Sequence, residues 1–183
     1  MLIRRETDED IPAVRSVTSA AFSSAEAGAS DREPVEVTLL DRLRADPGWI
    51  PELSLVATRP RNPGGATERP SVVGHVVCTR GWLADVPALG LGPLSVHPHH
   101  QRHGAGSALM HAVLAAAEAR GERMVALLGE PAYYRRFGFR PAQDHGIEPP
   151  EASWGTYFQA RLLAGAPFTA GAVFRYAEPF TRL

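Results

Sequence analysis

The chain of 183 residues carries 19 Lys and Arg against 20 Asp and Glu, a formal net charge of -1, so no basic field argues for nucleic acid. With 44% hydrophobic and 21% charged residues it has the composition of a globular chain able to bury a sizeable core. One cysteine, Cys78, excludes an internal disulfide framework and a multi-cysteine zinc site, and no apolar run approaches the ~20 residues of a membrane span.

The start, MLIRRETDED, has no apolar signal region, so a cytoplasmic location is expected. LIRRET predicts a strand. DEDIPAVRSVTSAAF predicts a helix, with an acidic start and Ile11, Val14, Val17 and Ala21 at helical spacing. Residues 23–31 are small and polar and predict a loop. EPVEVTLLDRLRADPGW predicts a second helix with Val35, Leu39, Leu40 and Leu43 on one face, ended by Pro47-Gly48. ELSLVATR alternates as a strand does, and PRNPGGATERP reads as a hairpin loop. SVVGHVVCTRGWL is a second strand, with Cys78 as a buried structural thiol, and ALGLGPLSVH a third.

Gly92-Pro93 interrupts that third strand. Proline cannot donate to a ladder, so the strand is expected to carry a bulge, an edge or a gap there. Unpaired backbone at a gap can hold an extended ligand as an added strand would. Residues 104–120 predict a helix that packs through Ala105, Ala108, Leu109, Ala112, Val113 and Ala116 and leaves His111 partly exposed. RMVALLG is a strand. PAYYRRFG is a short helix opened by Pro131 and closed by Gly138, followed by Phe139 in the core. TYFQARLL and GAVFRYA read as closing strands. The order predicts one mixed α/β sheet in a single domain over residues 1–183, with its core at about 2–142 and closing strands at about 143–183.

The strand-to-helix corner QRHGAGS carries the most chemistry. Gly104 and Gly106 allow a sharp turn and a close ligand approach. The free amides and dipole of the helix start favour an anion, and a diphosphate suits the place. Arg102 and His103 add polar or cationic side chains. The competing reading is that both glycines only allow close helix–strand packing. A nucleotide P-loop is excluded because no Gly-Lys-Ser/Thr follows. A dinucleotide fold is disfavoured by the missing third glycine. His97, His99, His100 and His103 repeat no ligand spacing, so solvated loop histidines and no metal are expected.

QRHGAG and, one helix and one strand later, YYRRFGF resemble the two signature stretches of the GCN5-related N-acetyltransferase (GNAT) superfamily. The wording GEPAYYRRFGF looks most like a bacterial YhbS-like branch. The specific resemblance spans about residues 90–142. It implies a mostly antiparallel sheet flanked by helices, with splayed central strands. It implies acetyl-CoA as donor, and a primary amine on a small molecule or protein as acceptor. It further implies that Leu94, Ser95 and Val96 hold the pantetheine arm through the backbone, and that Gln101, Arg102, His103, Gly104, Ala105, Gly106 and Ser107 cradle the pyrophosphate. Tyr134 matches the family tyrosine that protonates the coenzyme A sulfur, in a direct attack without an acyl-enzyme. No nucleic-acid or membrane partner is expected, and a homodimer is compatible with the resemblance. The family's usual glutamate is missing from ALGLGPLSV. Glu36, Asp85, Glu130 or a water relay stand as candidate bases, each of the three acids also reading as a surface or capping group. Trp82 reads as a wall of the acceptor cleft or as a core residue. A catalytically idle acyl-CoA-binding or regulatory domain is the alternative function.

Overall fold

The computed structural model describes residues 1–23, 33–60, 70–163 and 171–182. The loops expected at 23–31 and 60–70 fall almost entirely outside the described residues.

The strands are β1 (Leu2–Arg5), β2 (Ser54–Arg59), β3 (Ser71–Leu83), β4 (Val86–Val96), β5 (Met124–Leu128), β6 (Arg140–Pro141), β7 (Ile147–Glu148), β8 (Phe158–Leu162) and β9 (Ala172–Arg175). The helices are α1 (Ile11–Phe22), α2 (Val35–Arg44), α3 (Ala105–Ala119) and α4 (Pro131–Tyr134). Along the sheet the order is β1-β2-β3-β4-β5-β8-β6. Every step is antiparallel except β4–β5, which is parallel. β9 pairs with the end of β3 and, in parallel, with β7. The chain thus forms a large, mostly antiparallel mixed sheet flanked by helices, as the sequence predicts. The two-residue strands β6 and β7 are additions, too short to leave a periodic signal.

The period of two along β2 and β3 divides the core between the two faces of the sheet. Leu55, Ala57, Val76 and Cys78 pack on the α3 side, against Leu109, Met110 and Val113. Val56 and Val77 point the other way, to Val14 of α1 and Leu40 of α2. The buried face of α3 is turned about one residue from the expected one. Leu109, Met110, Val113, Leu114 and Ala117 are buried, while Ala108, Ala112 and Ala116 ride the flank. Large side chains remove more apolar area from water, so they win the centre of the contact. In α2 the same competition leaves Val35, in the first turn, 56% exposed and buries Val37 instead.

β4 and β5 part company early. Their pairing covers Leu89↔Val125 and Gly90↔Ala126 alone. On its other edge β4 stays paired with β3 as far as Gly74↔Val96, with a register shift between Val76↔Leu94 and Cys78↔Leu91. Gly92 and Pro93 together face the single residue Val77 across this shift, a bulge of the kind proline tolerates. The central strands therefore splay from Leu91 onward.

Candidate functional site

The splay exposes backbone of β4. The His97 amide donates to the Val73 carbonyl at 2.9 Å. By strand alternation His97 and Ser95 turn their peptide groups to β3, so Leu94 and Val96 turn theirs into the gap. The Val96 carbonyl is taken by Gln101 Nε2 at 3.1 Å, which folds the corner back onto the strand. The Ser95 side chain is buried on the opposite side, 3.0 Å from the Thr18 hydroxyl of α1.

Beyond the gap lies the start of α3. Gly104 caps it in the left-handed region at φ 85°, a conformation costly for residues with a Cβ, and a Cβ built there meets nothing within 4 Å. The first intrahelical bond runs from the Ala108 amide to Gly104 at 2.9 Å, leaving the amides of residues 105–107 without helix partners. A cleft of about 690 Å³ opens here, lined by Leu94, Val96, Gln101, Arg102, Gly104, Gly106 and Ser107 together with Tyr133 and Arg136. Seven of the ten sequence-selected binding residues thus meet around one cavity. Ser95 is turned away as described, Ala105 is buried under the helix, and His103 is exposed outside the cleft lining. Arg136 is a cation the sequence reading passed over. Its guanidinium lies 4.9 Å from the Tyr133 ring centre, and its Nε donates to the Tyr133 carbonyl at 2.9 Å. The signal was present: Arg136 follows Tyr133 by one helical turn.

The tyrosine pair divides between two clefts. The rings of Tyr133 and Tyr134 meet edge to face at 4.9 Å. Tyr133 turns its hydroxyl to Ser107 and to Gly106, where an added Cβ would stand 2.9 Å from that oxygen. Tyr134 packs over Gly129, where a Cβ would sit 2.4 Å from the ring, and against Phe139. It lines a second cleft, and its hydroxyl has no hydrogen-bond partner among the described residues. Burial pushes the Tyr134 phenol up to about 12, with Tyr133 adding to the shift. It is a protonated donor at neutral pH.

The second cleft encloses about 320 Å³, and Leu94 lines both cavities. Phe22 of α1, Leu39 of α2, Leu91 and Pro93 of β4 and Leu128 of β5 form much of its wall. Trp154, Tyr176 and Phe180, from the segment that follows Phe139, close it. Among the described residues Glu36 is the one charged group lining it. The other two acids considered from sequence sit elsewhere. Asp85 is exposed in the β3–β4 turn, and Glu130 caps α4 by accepting from the Ala132 amide at 3.2 Å. Trp82 is 40% exposed at the far end of β3, outside the cleft lining, and Trp154 takes the place imagined for it.

His97, His99 and His100 stack edge-on, with ring centres at 5.2 and 5.9 Å from His97. Partial burial, with Arg59 and the neighbouring histidines, lowers the His100 pKa. Among the described residues no three His, Cys, Asp or Glu side chains converge as a metal site would require. Cys78 is buried, and burial raises its thiol pKa, with Glu122 adding to the effect. A thiol so held is a packing residue and a poor nucleophile.

A family model described as an acetyltransferase (GNAT) domain matches residues 66–141. The N-acetyltransferase YhbS of Escherichia coli K12 is 29% identical, with 100% of this chain and 99% of that protein aligned. The crystal structure of E. coli YhbS in complex with CoA superposes with a TM-score of 0.80, at 28% identity over 100% of this chain and 92% of that one. A GNAT family acetyltransferase from Brucella melitensis, solved in complex with acetyl-CoA, is 32% identical, with a TM-score of 0.70 over 98% of this chain and 97% of that one.

Proposed function

The chain belongs to the GNAT family of acetyltransferases, and from that premise we propose that it moves an acetyl group from acetyl-CoA to a primary amine by direct attack. When bound, acetyl-CoA supplies the thioester carbonyl and the leaving thiolate. The first cleft fits it. The open backbone of Leu94 and the Val96 amide suit the amide-bearing arm, and the free amides of α3 with Arg102 and Arg136 suit the diphosphate. Two solved relatives carry CoA and acetyl-CoA, which supports the same assignment.

The observation that carries the reading is the split tyrosine pair at the junction of the two clefts. Tyr134 offers an unengaged, protonated hydroxyl in the second cleft, while Tyr133 is turned to the start of α3. Tyr134 is assigned as the general acid that gives its proton to the departing sulfur. An alkyl ammonium must first lose a proton to attack, and Glu36, the carboxylate at the second cleft, is assigned to receive it. The second cleft is then the acceptor site.

The test is release of coenzyme A thiol from acetyl-CoA across a broad panel of primary amines, with the product checked for one added acetyl group by mass. Acetylated amine formed in proportion to thiol is the expected result. Tight acetyl-CoA binding with no turnover on any amine would make the protein a binding module instead.

A further inference from the structure

The walls of the second cleft specify an acceptor, an inference that rests on the acetyltransferase reading. We propose that the acceptor is a monoamine whose ammonium is carried on a bulky apolar body of aromatic size, and that Tyr176 is a specificity-determining residue for it.

Three features point this way. First, apart from Glu36 the described lining is apolar or aromatic: Phe22, Leu39, Leu91, Trp154 and Phe180 are typical. A polyamine, an aminoglycoside or a lysine-rich peptide would have to strip water from several charges or hydroxyls against these walls, with one carboxylate to compensate. One ammonium on an apolar body needs only one anion, and its body gains by leaving water. Second, the aromatic rings form a continuous wall. Tyr176 lies 4.8 Å from Phe180 and 6.2 Å from Trp154, centre to centre. Flat ring edges and faces complement another flat ring.

Third, the Tyr176 hydroxyl is buried with no hydrogen-bond partner among the described residues, although its ring lines the cleft. A buried hydroxyl without a partner is a standing cost in the free protein. The fold goes out of its way to seat this ring. Gly90, the last residue of β4 paired to β5, clears space for it, since a Cβ there would come within 2.5 Å of the ring. The tyrosine is thus held where the strands begin to part; its oxygen is sealed in the free protein, and an acceptor N–H reaches it as the missing partner when the aromatic wall shifts to admit the ligand.

The step balances without a further reactant. The ammonium gives one proton to Glu36 and on to solvent. Its nitrogen lone pair then forms the C–N bond as the C–S bond breaks. Tyr134 gives a proton to sulfur and regains one as the nitrogen becomes an amide, leaving amide, thiol and one released proton.

The experiment compares 2-phenylethylamine and tryptamine with putrescine, spermidine and lysine, in the wild type, Tyr176→Phe and Glu36→Gln. The aromatic monoamines are expected to show kcat/KM at least 100-fold above the polar amines. Tyr176→Phe is expected to raise KM for tryptamine several-fold, leave KM for acetyl-CoA unchanged and raise the melting temperature. A merely structural tyrosine would not separate those readouts. Glu36→Gln is expected to raise the amine KM at least 10-fold. Preference for spermidine or lysine, or an unchanged tryptamine KM in Tyr176→Phe, overturns this inference and leaves the transferase reading intact. Turnover on no amine at all overturns both.

Discussion

Tyr133 and Tyr134 are neighbours in sequence, and one step of helical rotation sends their side chains to different clefts. Tyr134→Phe keeps the ring that packs over Gly129 and removes only the oxygen. Turnover is expected to fall by ~10²–10⁴ at nearly unchanged acetyl-CoA affinity, because a general acid acts mainly in the transition state. Tyr133→Phe is expected to do the reverse, weakening acetyl-CoA binding while keeping most of the turnover, since its hydroxyl faces Ser107 at the start of α3. Steady-state kinetics with calorimetry of acetyl-CoA binding on both variants checks this; a dead Tyr133→Phe beside an active Tyr134→Phe would exchange their roles. A pH profile adds an independent reading. Burial holds the Tyr134 phenol protonated up to about 12, so it imposes no alkaline loss below that. The rate is expected to climb from neutral pH as the free amine fraction grows.

At the scale of elements, the corner from β4 into α3 was the most legible part of the sequence. Proline, paired glycines and an apolar helix each carry a local backbone requirement, and Gly92, Pro93 and Gly104 meet those requirements where expected. The second cleft was far less legible. Glu36 is legible as a candidate base, but Trp154, Tyr176 and Phe180 come from a segment with weak periodicity, and nothing local tells an aromatic that lines a cavity from one that fills a core. Only the fold-back of β8 and β9 brings them to β4. The corner itself is tested through Gly104. Gly104→Ala is expected to cost about 1–2 kcal/mol for the left-handed backbone and to leave acetyl-CoA affinity within a few-fold. Gly104→Glu shares that backbone cost and adds an anion that projects into open space beside the free amides. Its affinity should fall at least 10-fold further, with the difference shrinking as salt rises. Calorimetry on the two folded variants at two ionic strengths separates charge from strain; equal affinities would place the diphosphate elsewhere.

The whole molecule is fastened by a buried polar cluster between α2 and the first strands of the sheet. Glu6, just after β1, pairs with Arg44 at the end of α2 at 2.5 Å, accepts from the Ser54 hydroxyl and lies 3.3 Å from His75 Nε2. One carboxylate so joins α2, β1, β2 and β3. Burial alone would raise its pKa, but hydrogen bonds from His75 and Ser54 and the Arg44 charge outweigh that and hold it at about 2. Burial lowers the His75 pKa against the pull of Glu6, and its Nδ1, without a partner among the described residues, agrees, since an imidazolium would need an acceptor there. Asp10 is also held at about 2, chiefly by its Arg4 hydrogen bonds, against burial, with Thr7 assisting. All three folded pKa values lie below the unfolded ones, so each group favours the unfolded chain as acid is added. Stability is expected to be level near neutrality and to start falling below about pH 6.5, where an unfolded histidine takes up its proton. It should fall more steeply from about pH 4.5 toward 2, as Glu6 and Asp10 lose contributions on the order of 2–3 kcal/mol for the buried Glu6 and less for the more exposed Asp10 pair. Glu6→Gln removes one of these groups. At pH 7 it should be clearly destabilised, because Arg44 loses its buried carboxylate and keeps only the more exposed Asp41. In acid its curve should run flatter than the wild type and approach it near pH 2, where the wild-type carboxyl is itself becoming neutral. Urea unfolding of both proteins from pH 8 to pH 3 makes the comparison. Parallel curves would mean that Glu6 titrates alike in the folded and unfolded chains, and that the cluster does not bind the sheet to α2 through its charge.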